Sequence, residues 1–62
     1  MKRNELIQHL HLHDCELLRE GRRHSWWRNR LSNKRTAVPR HNEISNVMAN
    51  KICKDLGIAP VK

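Results

Sequence analysis

Histidine and cysteine carry most of the chemistry open to this chain, and their spacing sorts them into groups. The stretch "HLHLHDC", residues 9–15, alternates imidazoles with leucines and ends on Cys15. On a strand, its three histidines and the thiol would share one face and read as a metal site. The segment instead continues a helical pattern that begins near Asn4. On a helix, residues two apart point about 200° apart, so only His9 and His13 could meet on one ion. Zinc takes four ligands, or three and a water, and no metal site is expected here. Cys53 flanks an apolar helical stripe and reads as a packing residue. Two cysteines are too few for a disulfide framework. Reduced thiols in a cytoplasmic protein are the expectation, and a Cys15–Cys53 bridge stays open at this level.

His24 stands in a different setting, "EGRRHSWWRN", residues 20–29. This stretch holds both tryptophans of a chain without Tyr or Phe, and arginines flank the histidine on both sides. An imidazole that titrates near neutrality can take the proton of a ribose 2′-hydroxyl or give one to a leaving 5′-oxygen. Neighbouring guanidiniums can hold the charge that grows on the phosphate. That chemistry needs no metal and no cofactor, and it leaves a 2′,3′-cyclic phosphate. The plainer alternative is a basic hairpin that only binds. On a strand, His24, Trp26 and Arg28 share one face, while Ser25 and Trp27 take the other. Covering the Ser25–Trp27 face avoids burying Arg28, so Trp27 is expected in the core and Trp26 beside His24 in the open. An exposed Trp among basic residues can stack a splayed base, or it can receive a protein partner.

Elements that could position these residues follow from periodicity. Residues 3–13 read as an amphipathic helix with Asn4 as a cap and Leu6, Ile7 and Leu10 on one face. Asp14 marks a turn. Residues 15–20, 24–30 and 35–39 read as three short strands, with Asn33 in a left-handed loop and Pro39 at a strand end or edge. A second helix is expected from an Asn42 cap, with Glu43 in its first turn and a stripe of Ile44, Val47, Met48, Ile52 and Leu56. Gly57 would close it in a left-handed conformation. The order α-β-β-β-α gives an α+β fold: a two-layer sandwich whose three-stranded antiparallel sheet is covered on one face by two helices.

Sixty-two residues allow one domain, 1–62, which buries only about 60% of its unfolded surface. No signal-peptide pattern and no membrane span is read in the sequence. The net charge is +7. No acid lies between Gly21 and Asn42, whereas Arg22, Arg23, Arg28, Arg30, Lys34, Arg35 and Arg40 all do. A one-sign segment of this kind suits a polyanion or an acidic protein partner. Recognition of duplex DNA by the second helix is disfavoured, because its basic residues are few and Glu43 sits at its start.

The segments "ELI", "LLREGRRHSWW", "VPRHNEI" and "KICKDLGI", in that order and spacing, resemble the HicA family of bacterial toxin ribonucleases. Gly21 and His24 match a Gly-x-x-His pattern, and Pro39 and His41 match a Pro-x-His pattern. The resemblance implies a fold similar to a double-stranded-RNA-binding domain. It also implies metal-independent cleavage of mRNA with His24 as the catalytic residue, and neutralisation by a HicB-type antitoxin. Arg22, Arg23, Trp26, Arg28, Lys34, Arg35, Arg40 and His41 are the expected RNA-binding residues around it. A non-catalytic RNA-binding module on the same basic sheet face is the competing reading.

Overall fold

The computed structural model describes residues 1–61. Its elements are α1 (Arg3–Leu12), β1 (Cys15–Glu20), β2 (His24–Asn29), β3 (Arg35–Pro39) and α2 (Asn46–Leu56). The sheet is antiparallel in the order β1-β2-β3, so β2 is central and pairs on both sides. α1 packs on β1 and α2 on β3. One apolar cluster fills the space between, built on Leu6 and Leu10 of α1, Trp27 and Val38 of the sheet, and Ala49, Ile52, Cys53 and Leu56 of α2. This is the expected α+β arrangement in the expected order.

Strand β2 alternates as its sequence requires. Ser25, Trp27 and Asn29 are buried under the helices, while His24 and Trp26 are exposed on the other face. The Trp27 ring meets His11 edge-on with centroids 5.2 Å apart. Arg30 leaves the strand, and its N–H donates to the Asp14 carbonyl at 2.9 Å, tying the β2–β3 loop to the α1–β1 turn. Asp14 and Asn33 both adopt positive φ (65° and 64°), as short polar side chains tolerate.

Both helix starts differ from expectation. Lys2, not Asn4, is the N-cap of α1. A lysine has no acceptor, so this cap works in one direction only: the Lys2 N–H donates to Glu5 Oε1 at 3.0 Å. α2 begins three residues later than Asn42 suggested. Ser45 is its cap, accepting from the Met48 N–H at 3.1 Å. Ile44 therefore enters the core from extended chain, not from the helix. Val47 is 82% exposed, and the buried stripe of α2 is Ala49, Ile52, Cys53 and Leu56. Glu43 forms a backbone bridge with Lys2 instead of opening the helix. At the far end Gly57 is left-handed at φ 71°, as expected. A Cβ there would also meet the Lys34 side chain at 3.1 Å.

Cys15 and Cys53 are buried free thiols. Burial raises the pKa of both, and Cys53 adds to the rise at Cys15.

Candidate active site

The β1–β2 hairpin turns through Gly21, Arg22, Arg23 and His24. The Gly21 N–H donates to the His24 carbonyl at 2.7 Å. A Cβ on Gly21 would lie 2.6 Å from that same oxygen. The glycine is needed for close approach, because its φ is not positive. The turn places His24 at the first position of β2, opposite Pro39 of β3. The chain leaving β3 then brings Arg40 and His41 alongside. Arg22, Arg23, His24, Arg40 and His41 line one shallow basin of about 490 Å³. Two imidazoles and three guanidiniums thus converge on a concave surface open to water.

A polar network beneath the basin fixes its walls. Ser25, fully buried, donates to Glu20 Oε1 at 2.7 Å and accepts from Arg3 Nη2 at 3.0 Å. Arg3 Nε donates to the Pro39 carbonyl at 2.9 Å. The other Glu20 oxygen pairs with Arg40 Nη1 at 3.1 Å, and Arg40 Nη1 also reaches the Gly21 carbonyl at 3.2 Å. The Arg40 N–H donates to the Arg23 carbonyl at 3.3 Å. One arginine of α1 therefore clamps β2, at Ser25 beside His24, to β3 at Pro39, the strand partner of His24. One acid of β1 holds Arg40 against the hairpin turn.

Sequence reasoning placed Ser25 on the covered face without giving it a role at the site, and did not single out Arg3 or Glu20. The hairpin register carried a usable signal. Once Gly21 and His24 close the turn, Glu20 and Ser25 must face each other across the strands. Arg3 carried no such signal, because its contacts span 22 and 36 residues.

The remaining predicted residues fall outside the basin. Arg28 lies on the open face, but its guanidinium pairs with Glu16 across the strand, so its charge is matched. Lys34 lies over Gly57 at the C-terminal end of α2, where a cation suits the helix dipole. Trp26 and Arg35 line a second hollow with Leu18 and Arg19. His9 is not a free surface histidine: its Nε2 lies 2.8 Å from the Ala59 carbonyl, so it holds the segment that follows α2. Among the described residues no group of three or more His, Cys, Asp or Glu side chains converges as metal ligands.

A family model described as "HicA toxin of bacterial toxin-antitoxin" matches residues 3–58, from the first residue of α1 to just past α2. The chain belongs to the HicA toxin family. No curated protein and no solved structure matches it. The family match takes in the whole sandwich, including the Gly21–His24 turn, the Pro39–His41 segment and the Arg3 clamp between them. As a HicA-family toxin, the chain belongs to a toxin–antitoxin system, and an antitoxin is the kind of partner this implies. Among the described residues no helix is long and apolar enough to cross a membrane.

Proposed function

We propose that this HicA-family chain is an endoribonuclease that cuts mRNA in the cytoplasm by histidine acid–base chemistry. The observation that carries the reading is the convergence of His24 and His41 with Arg22, Arg23 and Arg40 on one basin. In the proposed reaction a neutral His24 removes the 2′-hydroxyl proton and O2′ attacks the adjacent phosphorus. The bond from phosphorus to O5′ breaks, and a protonated His41 supplies the proton to O5′. The products are a 2′,3′-cyclic phosphate and a free 5′-hydroxyl, with no water, metal or cofactor consumed. Arg22 and Arg23 meet the charge that builds on the phosphate. Arg40, half-matched by Glu20, holds the turn as well as contributing charge.

The same cationic surface suits an acidic partner, and we assign the open sheet face to a HicB-type antitoxin when the toxin is held inactive. The test is cleavage of a defined RNA by the purified chain in the presence of a chelator, with analysis of the new ends. His24→Ala should remove cleavage while RNA binding persists. If that variant cuts as fast as the parent chain, the catalytic assignment is wrong and the basin is a binding surface only.

A further inference from the structure

The second hollow on the open face is lined by Leu18, Arg19, Trp26 and Arg35. We infer that it is a nucleobase subsite, in which one unpaired base of a single-stranded RNA stacks on Trp26 while its backbone phosphate enters the His24 basin. The inference rests on the ribonuclease reading and deepens it by naming how the substrate is held.

Four features support it. Trp26 is 39% exposed, an unusual cost for a large apolar ring in a chain with only two aromatic residues. The strand partners of Trp26 leave its ring uncovered: Ala37 on β3 is small, and Arg19 on β1 is long and exposed. A β-bulge lies at this point of β1. Register passes from Leu17 opposite Trp27 to Arg19 opposite Trp26, so Leu18 is the extra residue. A bulge re-aims side chains, and here it brings an apolar leucine and a guanidinium to the same tryptophan. Arg35 completes the rim from β3, and among the described residues no acid lines the hollow.

A flat apolar platform between two cations fits a base attached to phosphate. It does not fit a carboxylate alone, which would use the arginines and leave the ring wet. Bases stack on aromatic rings without sequence preference, because every base has a π-face. Distance also fits. Trp26 and His24 are two residues apart on one strand face, about 6.6 Å, a step that one unstacked nucleotide spans. The base on Trp26 would thus belong to the nucleotide beside the phosphate being cut. Its stacking would splay the backbone that in-line attack by the 2′-oxygen requires.

The test measures binding of a short single-stranded RNA to the His24→Ala chain, so that cleavage does not intrude. A second RNA of the same length carries one abasic nucleotide at the cleaved step. Trp26→Ala should weaken the intact RNA by roughly 5- to 150-fold and leave affinity for the abasic RNA nearly unchanged. Trp26→Phe should retain most of the affinity. Equal weakening of both RNAs, or of neither, would overturn the subsite. Thermal unfolding of each variant shows whether a loss reflects misfolding, and Trp26→Phe keeps the test valid if Trp26→Ala fails to fold. The outcome is separable from the ribonuclease reading. If His24→Ala still cut RNA, a 2′-deoxy nucleotide at the cleaved step, which removes the attacking hydroxyl, would keep both RNAs intact and a base-dependent Trp26 effect would still stand; its absence would leave His24 chemistry untouched.

Discussion

Replacing Ser25 with alanine removes a buried hydroxyl that hydrogen-bonds both Arg3 and Glu20 under the basin. Ser25 is fully buried and bridges Arg3 and Glu20 at 3.0 and 2.7 Å. Hydrogen bonds to charged groups contribute about 1.5–3 kcal/mol each. Two considerations reduce the sum. The Glu20 side chain is 47% exposed and recovers water when the hydroxyl goes. Arg3 keeps its bond to the Pro39 carbonyl. A net loss of about 1.5 kcal/mol follows. At about 2.1 cal/mol/K per residue, 62 residues give an unfolding entropy of roughly 130 cal/mol/K. The loss then lowers Tm by roughly 12 °C, from a total stability of only about 3–9 kcal/mol. Circular dichroism melts of the parent chain, Ser25→Ala, Arg3→Met and the double variant would measure it. The two single changes share one bond, so the double variant should lose less than their sum by about 1 kcal/mol. A Tm shift below about 4 °C for Ser25→Ala, or full additivity with Arg3→Met, would refute the reasoning that this hydroxyl couples α1 to the hairpin.

Other outcomes follow from the same structure. Gly21→Ala forces a Cβ against the His24 carbonyl, where it would sit at 2.6 Å. The turn must open, so RNA cleavage should fall by more than tenfold on the scale of about 1.4 kcal/mol per decade, with secondary structure retained; unchanged cleavage would show the turn to be adaptable. Acid should weaken the fold through Glu43 and Asp55. Hydrogen bonds from Lys2 and Lys51 respectively hold these carboxyls below their usual pKa. A folded-state pKa below the unfolded one binds fewer protons in the folded chain. The contribution is therefore complete above the ordinary carboxylate range and is lost as pH falls through the folded values. The joint change Lys2→Met and Lys51→Met should flatten the dependence of the urea midpoint on pH across that range. An unchanged slope would assign acid sensitivity to other carboxylates.

The fold was legible where local pattern and tertiary structure agree. Alternation along β2 placed Ser25 and Trp27 inside and Trp26 outside because a strand has no third option. Asp14, Asn33 and Gly57 were legible as backbone punctuation, since few residues accept a left-handed φ. The start of α2 was not legible. Ile44, Val47 and Met48 continue the spacing of Ile52 and Leu56, and periodicity alone does not say whether the first member sits on the helix. Two long-range contacts decided it. The Met1 carbonyl accepts from the Ile44 N–H at 2.9 Å, and Lys2 bridges Glu43, so residues 43 and 44 are held extended until Ser45 can cap. Asn29 was missed for a similar reason. It is buried, donating to the Leu56 carbonyl at 2.8 Å and accepting from the Leu31 N–H at 2.9 Å, contacts that no local pattern shows. Within the candidate site, His24 stood out in the sequence by its neighbours and His41 by the family pattern. That the two share a basin depends on the β2–β3 register, which no short motif encodes.

Strand β2 gives selection two separate handles within six residues. Trp27 and Asn29 are buried, so a change at either should destabilise the chain and be felt as abundance. His24 and Trp26 are exposed, so on the proposed function a change at either should spare abundance and lower potency. On the proposed function both kinds of change should relieve growth inhibition, but only the second leaves a folded chain that can still engage an antitoxin through the rest of the open face. Read along β2, inherited loss of toxicity should thus fall into two interleaved classes, one that frees the antitoxin and one that continues to titrate it. Ser25 sits between them: it is buried like the first class and braces the turn that serves the second.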